Sequence, residues 1–192
     1  MRTSSTRSNC VAAALSIAAA VCLSSTILLQ AFQTAKSAAA AKELAQALDG
    51  AKLEAIAAAD PAEPGTFVAA LYFPGSQILV VSAKYAAPAL LTDKIAKQNY
   101  RDVYIDLNSA SVAGSKVFVI DTNVDGLVAK PEDGQGADQW EQGKTQVTFD
   151  GQWKKAKMSE EEYMKAFATA DERYAHILQV LTTQAKGKGT GF

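Results

Sequence analysis

Charged positions are missing from Val11 to Phe32, where Leu, Ile and Val are mixed with Ala and Ser. Such a run is long and apolar enough to enter a bilayer. Beyond it the pattern becomes periodic. Leu44, Leu48, Leu53 and Ile56 recur at near-helical spacing and predict a helix over Ala38–Ala59, with Gly50 as a point of interruption. Asp60-Pro61-Ala62-Glu63-Pro64-Gly65 ends it, because two prolines and a glycine cannot continue a helix. Thr66–Phe73 and Gln77–Ala83 are almost continuously apolar and are joined through Pro74-Gly75. They predict an antiparallel hairpin in the middle of a sheet covered on both faces.

Pro88 opens a short helix, Ala89–Lys97. Arg101–Asn108 then alternates: Arg101, Val103, Ile105 and Leu107 share one face, and Asp102, Tyr104, Asp106 and Asn108 the other. That period predicts a half-buried strand. Lys116–Ile120 predicts a further strand, Asp121–Lys144 a polar loop, and Thr145–Phe149 a short strand before the turn pair Asp150-Gly151. Ser159-Glu160-Glu161-Glu162 is a capping box. Behind it, Tyr163, Phe167, Ala170, Tyr174, Ile177 and Leu181 step by three and four along one face of a long helix.

These elements predict an α+β fold. Two hairpin-like strand pairs and a short strand form an antiparallel sheet, with an N-terminal helix, a short connecting helix and a long C-terminal helix. A similar order occurs in flavin-binding split barrels, so a split-barrel-like arrangement is the alternative.

The apolar run follows Arg2 and Arg7 and precedes the small-residue patch Ser37-Ala38-Ala39-Ala40-Ala41, the layout of an export signal. Residues 1–39 are read as a signal peptide or signal anchor, with cleavage near Ala39 or Ala40 favoured. Val21 before Cys22 does not suit a lipidation box. Residues 40–184 form one domain and 185–192 a flexible tail. The domain is expected in the periplasm or secreted, or held outside the cytoplasm by an uncleaved anchor. In that case the N-terminal segment is its contact with the membrane.

Charge and cysteine content narrow the chemistry. Residues 1–36 hold three of the chain's 19 basic residues and none of its 20 acids, so the remainder is mildly acidic. Nucleic acid is not an expected partner, since phosphate binding needs clustered Lys and Arg. No cysteine follows Cys22, which leaves the domain without a disulfide or a thiolate nucleophile. His176 is the one histidine; it falls off the apolar stripe and is expected to be exposed. With no glycine-framed serine either, the sequence leans away from catalysis.

Two constellations remain. Asp121-Thr122-Asn123-Val124-Asp125-Gly126, continued to Glu132, fits a calcium-loop pattern. Asp121, Asn123 and Asp125 supply oxygens at alternate positions, Gly126 the sharp turn, Leu127 a carbonyl and Glu132 the closing carboxylate. The plain reading is an Asp/Asn/Gly turn without metal. Pro131 and the missing flanking helices favour that plainer reading. Lys84, Tyr85, Tyr100, Arg101 and Tyr104 fall at strand ends and put two cations among aromatic faces, suited to a flat anionic ligand. The functional expectation is therefore an exported non-catalytic domain, partner-binding or structural. The alternative is a small-ligand or flavin-type binding domain using the Lys84/Arg101 end of the sheet.

Overall fold

The structure, a computed structural model, describes residues 35–110 and 116–188. The chain divides between Thr34 and Ala35; of residues 1–39, read from the sequence as a signal peptide or signal anchor, residues 1–34, with Val11–Phe32, Cys10 and Cys22, lie outside the described residues. The second unit is α+β: among its described residues there are four helices and six strands in one antiparallel sheet. In chain order these are α1 (Lys36–Ala51), β1 (Ala55–Ala59), β2 (Thr66–Phe73), β3 (Gln77–Lys84), α2 (Pro88–Ala96), α3 (Tyr100–Ser109), β4 (Val117–Thr122), β5 (Asp138–Gln142), β6 (Thr145–Phe149) and α4 (Glu160–Lys188). The strands pair in sequence order, β1 to β6, as a single meander and not as a split barrel.

Helices cover both faces over β1–β3. On one side α1 and α4 pack Leu44, Leu48, Tyr174, Ile177, Leu178 and Leu181 onto Ile56, Val68, Ala70, Tyr72, Val80 and Val119. On the other, Leu91 of α2 and Tyr100, Val103, Tyr104 and Leu107 of α3 cover Ala57, Phe67, Ala69, Val81 and Ala83. Two covered faces explain why β2 and β3 have hardly any polar positions. β4 buries alternate residues, as expected where one face is less protected.

Three elements depart from the sequence pattern. Arg101–Asn108 belongs to α3 and is not a strand. Val103 and Leu107 fit both periods, but Tyr100 and Tyr104 complete a helical stripe, while Ile105, which alternation would bury, is 53% exposed. The N-terminal helix stops at Ala51, where Lys52 turns left-handed at φ 53° and the Leu53 N–H donates to the Leu48 carbonyl. The alanine-rich remainder becomes β1 by pairing with β2, Ala58 opposite Val68. Its small side chains let helices approach from both sides. Finally, the polar stretch 121–144 contains β5, which pairs with β4 and β6.

α4 starts as its capping box predicts. The Glu162 N–H donates to Ser159 Oγ at 3.2 Å, and the Ser159 N–H donates to Glu162 Oε2 at 2.8 Å. Phe149 meets Tyr163 and Phe167 edge-on, at 5.6 and 5.3 Å between ring centres.

Candidate cation site

β4 carries Val117, Val119 and Asp121 on its buried face, so the alternation that builds the core also buries a carboxylate. β5 runs antiparallel with Ile120 opposite Gln139, and one further step sets Asp121 opposite Asp138. Both carboxylates are buried, on neighbouring strands, at the end of the sheet where the 123–137 loop leaves and returns. The tight turn after β4 brings Asp125 back to them. One oxygen from each of Asp121, Asp125 and Asp138 lies within 4.8 Å of the others. Like charges placed so close in a buried setting repel, and none of the three has a Lys, Arg or His partner among the described residues.

Backbone donors hold two of the carboxylates. Asp121 Oδ1 accepts the Asp125 N–H at 3.2 Å, and its Oδ2 accepts the Gly126 N–H at 3.1 Å and the Tyr174 hydroxyl at 2.9 Å. Asp138 accepts the Thr122 N–H at 2.9 Å and the Val128 N–H at 2.7 Å. Asp125 differs: its Oδ1 is buried and has no hydrogen-bond partner among the described residues. A buried lone oxygen beside two carboxylates is costly as it stands.

The electrostatics follow from this burial. Desolvation pushes the Asp121 carboxyl up to about 7, against the opposing pull of Tyr174 and the two amide donors. Asp138 is also pushed up to about 7, first by burial, with Asp121 and Asp125 adding to it. Burial raises Asp125 too. Tyr174 is held well above its ordinary value by burial and the neighbouring Asp121.

The turn is shaped for close packing. Asn123 and Val124 both have positive φ, 72° and 61°, a conformation a β-branched residue rarely adopts. Gly126 has φ 80°, and a Cβ there would lie 2.5 Å from the Ala38 amide nitrogen. Glycine is therefore required both by the turn and by the approach of α1. The Leu127 N–H donates to Ser37 Oγ at 2.8 Å, and the Tyr163 hydroxyl donates to the Ala129 carbonyl at 2.7 Å. Residues from α1, α4, β4 and β5 thus fix the cluster and its loop.

This donor set is all oxygen, which suits a hard divalent cation better than zinc, whose protein sites favour nitrogen and sulfur. Calcium sits about 2.3–2.6 Å from each ligand, so oxygens across one ion lie up to about 5 Å apart. The observed spread is compatible with one ion.

Of the residues the calcium pattern nominates, Asp121 and Asp125 are brought together. Leu127 is buried beside them through its bond to Ser37, and Asn123 is exposed. Glu132 is also exposed, its N–H donating to Gln135 Oε1 at 3.2 Å. The third clustered carboxylate is Asp138, outside the pattern. Its signal in the sequence is the Asp138-x-Trp140 alternation, which the loop reading passed over.

The second constellation is dispersed by role. Tyr100 and Tyr104 are core residues of α3 and Tyr85 packs against that core, while Lys84 and Arg101 are exposed. Burial raises Tyr104. His176 departs from the expected exposed position. Its Nε2 lies 3.0 Å from both oxygens of the buried Asp60, next to Arg173, which clasps Glu63 at 2.6 and 2.9 Å. Compared with known proteins, the chain matches no family profile, no curated protein and no solved structure.

Proposed function

We propose that this chain is an exported, non-catalytic binding domain whose turn after β4 takes one hard divalent cation, calcium, on Asp121, Asp125 and Asp138. The observations that support the reading are the clustering of the Asp121, Asp125 and Asp138 carboxylates and an Asp125 Oδ1 that is buried without a hydrogen-bond partner among the described residues. A cation there satisfies the orphan oxygen and neutralises the repulsion at once. Calcium is abundant outside cells, which agrees with the export-signal layout at the N-terminus. The bound ion has a structural role in this reading: it orders the 123–137 loop against α1 and α4, and the loop is then fit to meet a partner.

A metal-dependent melt tests it. If calcium binds the fold alone, a concentration about 100 times its dissociation constant stabilises the full-length chain by roughly 2.7 kcal/mol. The expected affinity lies around 10⁻⁴–10⁻³ M, as for extracellular modules. Asp125→Ala abolishes the shift. No calcium-specific shift in the wild type up to about 100 mM at matched ionic strength, or an undiminished shift in Asp125→Ala, rejects the reading.

A further inference from the structure

The first turn of α1 is built into the folded domain. The Lys36 N–H donates to Asp171 Oδ2 at 2.7 Å, and the Ser37 N–H and hydroxyl donate to Asp171 Oδ1 at 2.9 and 2.6 Å. Asp171, on α4, thus caps α1 from a separate helix. Ser37 has no exposed surface, and its Oγ in turn accepts the Leu127 N–H. Gly126 packs directly on the Ser37–Ala38 backbone. Ala40 and Ala41 are buried where α1 lies along α4.

These contacts give most of the patch Ser37–Ala41 a reason other than processing. Ser37, Ala38, Ala40 and Ala41 are small where α1 fits closely under Gly126 and against α4, while Ala39 is exposed. A cut after Ala39 or Ala40 would remove three donors from the buried Asp171 carboxylate and leave the Leu127 amide unpaired, an expensive state for buried polar groups. With that patch assigned to the core, what remains of the export segment is Val11–Phe32, which has the ~20-residue length of a spanning helix. Only Gln33 and Thr34 separate it from Ala35.

We infer that the chain is not cut within Ser37–Ala41 and that Val11–Phe32 stays attached as a membrane anchor. This rests on the reading of the chain as exported. No helix among the described residues is long and apolar enough to cross a membrane, and Val11–Phe32 lies outside them.

The test expresses the full chain in a host with an export pathway, separates soluble from membrane fractions, washes the membranes with alkaline carbonate, and reads the intact mass and N-terminus. The expected product is uncut in its first forty residues, stays in the carbonate-washed membrane, is released by detergent, and is digested by protease added to the extracytoplasmic side. A soluble extracytoplasmic product that has lost Val11–Phe32, whether starting at Ala40 or elsewhere, overturns the anchor and leaves export standing. Full-length protein free in the cytosol overturns both. In the same detergent-solubilised full chain, Asp171→Ala is expected to lower the melting temperature by about 5 °C or more. A melt equal to wild type removes the premise that the α1 start is part of the core.

Discussion

Asp125 shows how much a single residue can decide. Its Oδ1 is buried without a partner among the described residues, while its neighbours Asp121 and Asp138 spend their oxygens on backbone amides and Tyr174. Asp125→Asn removes one of three crowded charges. It should therefore raise the stability of the calcium-free protein, by about 1 kcal/mol, while weakening calcium binding; chemical melts in chelator and in calcium check both signs. The pH dependence has a definite sign as well. Asp121 and Asp138 lie near 7 in the fold, above the ordinary carboxylate value of about 4. Their protonated forms are favoured by folding, so the stability they contribute is full below about pH 4 and is lost as pH rises through about 7. In chelator, the difference in denaturation midpoint between wild type and Asp138→Asn should therefore grow in favour of the variant from about pH 5 to pH 8. Gly126→Ala should cost on the order of 3 kcal/mol, since a methyl there meets the α1 backbone and the left-handed turn disfavours it; a denaturant melt measures it. At this scale Asp121, Asp125 and Gly126 were legible from their spacing in a short motif. Asp138 was not, because its nearness depends on the β4–β5 register, which no local spacing displays.

Element by element, the sequence speaks most clearly where one period has no rival. α4 is such a case: its capping box and its stripe from Tyr163 to Leu181 both appear in the structure, and Tyr163, Tyr174, Ile177 and Leu181 are buried. Phe167→Ala should cost about 2–3 kcal/mol, below the 3–5 usual for a fully buried ring, because Phe167 is half-buried against Phe149. A melt equal to wild type would show that this end of α4 is not held by the sheet. α3 is the opposite case. Val103 and Leu107 satisfy a strand and a helix equally, and the choice fell to Tyr100 and Tyr104, whose burial needs the β1–β3 face to be present. Local alternation contains no trace of that face. β1 was hidden for a related reason: alanine favours helix, and only pairing with β2 overrides the preference.

For the whole molecule, the antiparallel α+β plan followed from short connections and apolar runs, whereas the layering did not. β2 and β3 announced that both faces are covered, but not that α1 and α4 share one face while α2 and α3 take the other. That arrangement is what draws the start of α1, the turn at Gly126 and the middle of α4 to one place. It connects Asp121 to α4 through Tyr174, and Leu127 to α1 through Ser37. A cation held at this junction would brace the two helices, the meander and the long loop together. Calorimetric titration of the chelated full-length chain with calcium, beside Asp121→Asn and Asp125→Ala, is the most direct test of that account. One calcium is expected per wild-type chain and none measurable in either variant. Absence of binding heat from the wild type in several buffers, or equal binding by Asp125→Ala, would contradict it.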